Sequence, residues 1–246
     1  MRKYLPFYIR SRIYKIYMLI QFMINNLTAL FARVKGSYSD FGEDQIIQRV
    51  FGDYKGSYLD IGAGHPIIGS NTYLFYKKGW SGITVEPIRF HNFLHRIKRR
   101  NDTQIRALIG NSNQMTKFYE FNPTQYSTSS ETQYKTMIAN GMKETKVYYM
   151  KTITVNSILS QFNNPNYFLS IDCEGYDFQV ISDIDWTSII KPRVVVFEGI
   201  TDLTKAKAID SILTNQGYSL LAKTQNNCIY ELGHKLINKD LSIPLS

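Results

Sequence analysis

Four acids close short apolar runs in this chain. Asp60 follows Tyr58-Leu59, Glu86 follows Ile83-Thr84-Val85, Asp172 follows Tyr167-Phe168-Leu169-Ser170-Ile171, and Glu198 follows Val194-Val195-Val196-Phe197. Each run reads as a buried strand, and a buried carboxylate is costly unless it is paired or liganded. The carboxyl ends of parallel strands share one rim, where open α/β sheets bind their ligands. Helix capping accounts for one such acid; four on a single rim point to chemistry. The first run breaks straight into Gly62-Ala63-Gly64-His65-Pro66. Glycine has no Cβ, so that turn lets a ligand approach bare backbone. Glu86, at the tip of the neighbouring strand, suits the two hydroxyls of a ribose. Turn and acid together make half of a nucleoside site.

The other acids offer proton transfer. Asp172 and Glu174 flank the expected place of an acceptor, and Glu198 ends the next strand. A carboxylate or histidine there takes the proton from a hydroxyl whose oxygen attacks. His65, on the glycine turn, is a further candidate base. The predicted catalytic set is Asp172, Glu174, His65 and Glu198. Asp172, Glu174 and Glu198 also have the chemistry to hold a divalent ion that acidifies the hydroxyl. That assignment is the less favoured one, and no metal ligand is predicted. No CxxC or Cys/His cluster suggests zinc. The two cysteines, Cys173 and Cys228, make no disulfide framework and fit a reducing cytoplasm.

The turn also bears on which nucleoside is expected. A dinucleotide fingerprint reads GxGxxG and seats a pyrophosphate on a helix N-terminus. Here the third glycine position holds Ile67, and His65-Pro66-Ile67-Ile68 pushes the helix start later. Asp60 would repel a pyrophosphate but suits an ammonium group, or water held by one. No TyrxxxLys pair stands in the place usual for a short-chain reductase, and no GKS or GKT marks a phosphate-binding loop. S-adenosylmethionine is the favoured cofactor. A nicotinamide-dependent oxidoreductase of nucleotide sugars is the alternative, and a non-catalytic nucleic-acid or membrane adaptor ranks last.

Positioning these residues requires alternating strands and helices, which from Ser57 onward argue a parallel sheet with crossover helices. Strands are predicted at 57–60, 82–86, 103–109, 167–172 and 193–198. Helices are predicted from Ser70-Asn71-Thr72 to Lys78, from Arg89 to Arg100, from Tyr176 to Ile184 and from Leu203 to Thr214. A hairpin of 218–222 and 228–232 closes the sheet edge. Residues 111–156 break the alternation, with strands at 115–121 and 147–155 around polar Gln125 to Ser130. An insertion of that length is expected to be a substrate lid. Before the first strand, Asp40, Glu43 and Asp44 crowd the start of a short helix, where helix capping explains one or two of the three.

The chain has 246 residues, enough for one sizeable α/β domain and an appendage. Its net charge of +9 favours anionic partners. Arg2, Lys3, Arg10, Arg12, Lys15, Arg33 and Lys35 all precede the first acid, Asp40. Residues 9–34 read as a basic amphipathic helix, too polar for a bilayer span, that packs on the domain or a second subunit or lies on an anionic membrane. The expected division is a helical segment over 1–36 and a catalytic domain over 37–246. A second basic cluster, Arg96, Lys98, Arg99 and Arg100, reads as a solvated helix end.

Six ordered blocks carry a resemblance. Tyr38-Ser39-Asp40-Phe41-Gly42-Glu43-Asp44, Leu59 to Pro66, Ser70-Asn71-Thr72-Tyr73-Leu74-Phe75, Gly79-Trp80-Ser81-Gly82, Val85-Glu86-Pro87 and Leu169 to Gly175 together resemble the FkbM-type methyltransferases over about residues 37–200. The resemblance implies a class I methyltransferase fold: a Rossmann-like, mostly parallel seven-stranded sheet with helices on both faces. It implies S-adenosylmethionine as donor, S-adenosylhomocysteine as product, and transfer to oxygen, commonly on a sugar or polyketide hydroxyl. By position, Asp60, Gly62, Gly64 and Glu86 match its cofactor residues, and Asp172 and Glu174 match its block beside the acceptor. Cys173 stands where the family often has Val. The full cofactor set expected here is Asp60, Gly62, Ala63, Gly64, Asn71, Thr72, Glu86, Pro87, Leu108 and Asp172. The expected partner is a sugar or nucleotide-sugar acceptor in surface polysaccharide or capsule synthesis, without nucleic acid. The expected location is cytoplasmic, peripheral to the inner membrane if the N-terminal helix binds lipid.

Overall fold

The computed structural model describes residues 36–173, 175–199 and 203–233. The helix expected over 9–34, and Glu174, lie outside the described residues.

The first helix, α1 (Glu43–Phe51), begins after Gly42, whose φ of 82° is left-handed. Its two leading acids are structural. Glu43 accepts hydrogen bonds from the Phe41 N–H at 3.0 Å, Thr224 Oγ1 at 2.6 Å and Asn227 Nδ2 at 2.9 Å, tying the helix to the C-terminal hairpin. Asp44 accepts from Ser37 Oγ and the Tyr38 N–H, both at 2.7 Å. Capping and loop closure therefore use two of the three crowded acids and leave Asp40.

The main sheet then builds in order: β1 (Ser57–Ile61), α2 (Tyr73–Lys77), β2 (Ser81–Val85), α3 (Arg89–Lys98) and β3 (Thr103–Ile105). The insertion supplies β4 (Leu108–Ile109), β5 (Met115–Glu120), α4 (Glu131–Ala139) and β6 (Lys146–Ile153). Next come α5 (Val155–Leu159), β7 (Tyr167–Ile171), α6 (Asp177–Ser182), β8 (Val194–Glu198), α7 (Leu203–Asn215), β9 (Tyr218–Lys223) and β10 (Asn227–Leu232). Seven strands form one sheet in the order β3-β2-β1-β7-β8-β10-β9. The first five run parallel, and β10 is antiparallel to both β8 and β9. The mostly parallel seven-stranded sheet expected from the sequence is present.

Alternation along the strands splits the core into two layers. Leu59, Ile61, Leu169 and Ile171 pack with Val155, Ile158, Val180, Ile181 and Ile209, so α5, α6 and α7 cover one face. Tyr58, Phe168, Val194 and Val196 pack with Ile47, Phe51, Phe75 and Trp80, so α1 and α2 cover the other. Strand order reverses direction between β1 and β7, and the Gly62 turn sits at that switch.

Two predicted elements differ. The strand expected over 103–109 is two: β3 joins the main sheet, while β4 pairs with β6 in a separate three-stranded sheet, β4-β6-β5. The strand expected to reach Val155 ends at Ile153, because Thr154 caps a new helix by accepting from the Ser157 N–H at 3.2 Å. Among the described residues, no helix is long and apolar enough to cross a membrane.

Candidate active site

The glycine turn is forced by neighbours on one side and left open on the other. Gly62 has φ 74°, and a Cβ there would lie 1.8 Å from the Asp172 carbonyl oxygen. Its N–H and that of Ala63 both donate to the Val85 carbonyl, at 2.9 and 3.2 Å. Gly62 is thus a packing glycine, where the tips of β1 and β7 touch. Gly64, φ 53°, differs: the nearest atom to a Cβ there would be the Gly62 oxygen, 3.9 Å away. Gly64 lines a cavity of about 700 Å³, within the roughly 300–1,000 Å³ of small-molecule sites.

Glu86, 3% exposed, clamps the turn from the tip of β2. One oxygen accepts from the Gly64 N–H at 2.8 Å, the other from the Ile88 N–H at 2.6 Å. A carboxylate has about four acceptor sites, so each oxygen keeps a lone pair in a residue that lines the cavity. Burial is the main cause that pushes the Glu86 carboxyl up to about 8, eased by those two amides and raised further by Asp60 and Asp172. From the helix α3 side, His95 Nε2 meets the Gly64 carbonyl at 3.2 Å. An open Gly64 beside an acid with spare lone pairs fits a nucleoside carrying a diol.

The structure separates the expected cofactor residues. Gly62, Ala63, Gly64, Glu86, Pro87, Leu108 and Asp172 line the cavity together. Asp60, Asn71 and Thr72 do not, because the alternation of β1 turns Asp60 to the sheet's other face. There Thr72 Oγ1 donates to Asp60 at 2.5 Å, and Arg99 Nη1 donates to Thr72 Oγ1 at 2.9 Å, 3.9 Å from Asp60. Arg99 Nε and Tyr58 Oη both donate to Asp102 at 2.7 Å. Asn71 Nδ2 donates to Ser170 Oγ at 3.2 Å. Burial, opposed by Arg99 and Thr72, raises the Asp60 carboxyl. This network supports the turn from behind, which corrects the expectation of an Asp60 facing a ligand ammonium. It also removes Arg99 from the solvated basic cluster, since Arg99 is completely buried.

The expected catalytic residues are likewise divided. Asp172 is exposed and lines the cavity at the tip of β7. Glu198 does not line it; its neighbour in charge is Asp177, whose carboxyl is pushed up to about 8 by burial and then by Asp172 and Glu198. His65 lines the cavity, but its Nδ1 accepts from the Ile67 and Ile68 N–H groups at 3.2 and 3.1 Å. That places the proton of the neutral ring on Nε2, so no free lone pair is left for a base. Burial, then His91 and Lys98, hold the imidazole down to about 4. His65 is a turn cap and a donor. Among the described residues, no three His, Cys, Asp or Glu side chains converge as a metal site.

The far wall of the cavity comes from the insertion: Phe118, Glu120, Phe121, Thr124, Ser127 to Ser129, Thr145 and Lys146, with Asp40 and Tyr176 closing the rim. Sequence reasoning named none of these as site residues. The signal for the wall residues was the position of 111–156 between the cofactor strands and β7. Glu120 accepts from Lys146 Nζ at 3.3 Å and Tyr148 Oη at 3.0 Å.

The methyltransferase FkbM domain family matches residues 60–220. No curated protein matches the chain. Several solved structures are similar. The ribosomal protein L11 methylase of Lactobacillus delbrueckii subsp. bulgaricus is 13% identical, with 78% of this chain and 77% of that one covered and a TM-score of 0.37. A TehB-like SAM-dependent methyltransferase of Corynebacterium glutamicum is 8% identical, with 85% and 97% covered and a TM-score of 0.42. The precorrin-6y C5,15-methyltransferase of Geobacter metallireducens is 12% identical, with 77% and 86% covered and a TM-score of 0.39.

Proposed function

The chain belongs to the FkbM methyltransferase family, and on that premise we propose that it methylates a sugar hydroxyl, on a nucleotide sugar or a surface polysaccharide. The observation that carries this reading is Glu86, which spends one oxygen on the Gly64 amide and the other on the Ile88 amide and keeps its remaining acceptor capacity for a ribose diol. S-adenosylmethionine, when bound, supplies a methyl group made electrophilic by its sulfonium. Gly64 leaves backbone open to the donor, and Glu86 accepts from the ribose hydroxyls. Asp172 faces the acceptor hydroxyl and takes up the proton that its oxygen releases. The insertion wall holds the acceptor in line and keeps water from the reacting oxygen, and such alignment supplies much of the rate.

The oxidoreductase alternative loses support at two places. A pyrophosphate needs free helix amides, but Ser70 Oγ already accepts from the Thr72 and Tyr73 N–H groups at 3.3 and 3.1 Å. Helix α2 also starts nine positions beyond Gly64, at Tyr73. The test is mass spectrometry of products formed from S-adenosylmethionine with a panel of nucleotide sugars and oligosaccharides. A mass gain of one methyl on a sugar oxygen supports the reading. Methylation at nitrogen or carbon, or reduction of the sugar by NAD(P)H, overturns it.

A further inference from the structure

We infer that the acceptor enters the cavity as a phosphate-free hydroxylated segment, a neutral glycan or polyol, and that no nucleoside diphosphate shares the cavity with it. This rests on the methyltransferase reading above and narrows it.

The charge around the cavity runs against the charge of the protein. The chain carries +9, yet the charged side chains that line the cavity among the described residues are Asp40, Glu86, Glu120 and Asp172 against Lys146. Lys146 is already paired with Glu120. The pair cancels and leaves the acids Asp40 and Asp172, beside a Glu86 whose carboxyl burial pushes up to about 8. The two lining histidines, His65 and His91, are held neutral by burial down to about 4. A diphosphate binds through arginines, lysines or unfilled helix N-termini. Here Ser70 fills the amides at the start of α2, and at the start of α3, which has no side-chain cap, Glu86 takes only the Ile88 amide. A diphosphate in such a site meets like charge in a partly desolvated space, where repulsion is weakly screened. A cationic donor and a polyol meet the opposite: acids that attract the one and accept hydrogen bonds from the other.

Asp40 completes the argument. Its carboxylate accepts no hydrogen bond within the described residues, whereas the adjacent Glu43 and Asp44 are saturated by the fold. It stands at the rim beside Gly69, where a Cβ would come within 3.4 Å of both of its oxygens. Burial and the charge of Glu43 raise its carboxyl. An acid held there with its lone pairs unused is an acceptor of hydroxyl protons, and an obstacle to phosphate.

The test is calorimetric titration of the full chain, saturated with S-adenosylhomocysteine, with UDP, GDP, CDP and dTDP in turn. No nucleoside diphosphate is expected to bind more tightly than about 0.1 mM, the level of roughly 5–6 kcal/mol of binding. A tighter dissociation constant for any of them overturns the inference. Failure of S-adenosylhomocysteine itself to bind reads differently: it removes the methyltransferase reading on which the inference stands.

Discussion

Two polar regions flank the glycine turn, and they use the same residue types to opposite ends. Behind it, Asp60, Thr72, Arg99, Asp102 and Tyr58 satisfy one another: Arg99 bonds Asp102 and Thr72, and Thr72 bonds Asp60. In front of it, Glu86, Asp40 and Asp172 line the cavity. Both regions hold carboxylates at or near strand tips. The difference is placement: behind the turn a buried arginine makes the acids a brace, and in front of it the acids stand on the cavity wall, where a ligand can meet them. If the comparison holds, damage behind the turn shows up as lost stability and damage in front as lost binding or turnover.

The largest effect is expected behind the turn. Arg99→Ala leaves Asp102 and Asp60 buried without their cation, and removing one partner of a buried pair costs about 3–5 kcal/mol. Urea unfolding should show a midpoint lowered accordingly; a midpoint near that of the wild type would dissolve the distinction between the regions. In front, Asp172→Asn keeps size and shape but cannot take a proton. Turnover should fall by at least about 100-fold, with S-adenosylhomocysteine affinity retained. Equal turnover would remove Asp172 as the base.

A smaller effect separates the regions by pH. Glu86 and Asp177 are pushed up to about 8, chiefly by burial, whereas unfolded carboxyls titrate near 4. In the folded protein these groups keep protons that the unfolded chain has released, so stability falls as pH rises through that window. His65 and His91, held down to about 4 by burial, act the other way, but only below their ordinary value of about 6.5. Between about pH 6.5 and 8 the raised carboxyls set the slope, at up to about 1.4 kcal/mol per pH unit for each group. Glu86→Gln should make that decline shallower in the protein without cofactor. A slope identical to the wild type would mean that Glu86 is not the strained acid described.

The smallest effect is expected in the cavity wall that the insertion supplies. Ser130 Oγ accepts from the Gln133 N–H at 3.3 Å and caps α4. Ser130→Ala should cost about 1 kcal/mol locally and raise the KM for the acceptor without altering cofactor affinity. A change in cofactor affinity instead would tie α4 to the donor half.

Much of the turn and its neighbouring tip acid was legible because its logic is local. Strand, glycine turn and tip acid follow one another in sequence, and Ile61-Gly62-Ala63-Gly64 and Val85-Glu86 meet as their pattern implies. What was not legible depended on facing. Asp60 and Glu86 look alike in sequence, but Asp60 lies within β1 with its side chain under the sheet face, while Glu86 lies one residue past the end of β2, where it turns to the Gly64 and Ile88 amides. Arg99 sits among Arg96, Lys98 and Arg100, and nothing local marks it as the buried member. His65 resembles a base until the Ile67 and Ile68 amides are seen to fill its Nδ1. Helix α4 has no buried residue, so no apolar stripe announces it; Ser130 and Gln133, spaced as a capping box, were its one sequence signal. Residues 103–109 form a single apolar-rich run across the point where the chain leaves one sheet for another.

The central claim, that Glu86 receives the ribose of an S-adenosyl donor over an open Gly64, is tested most directly by titrating S-adenosylhomocysteine into the wild type and Glu86→Gln. A buried hydrogen-bond partner left unsatisfied costs about 1–3 kcal/mol, so the variant should bind roughly 5–100-fold more weakly, and NAD should compete with neither. Equal affinity in the two proteins, or displacement of the ligand by NAD, would contradict it.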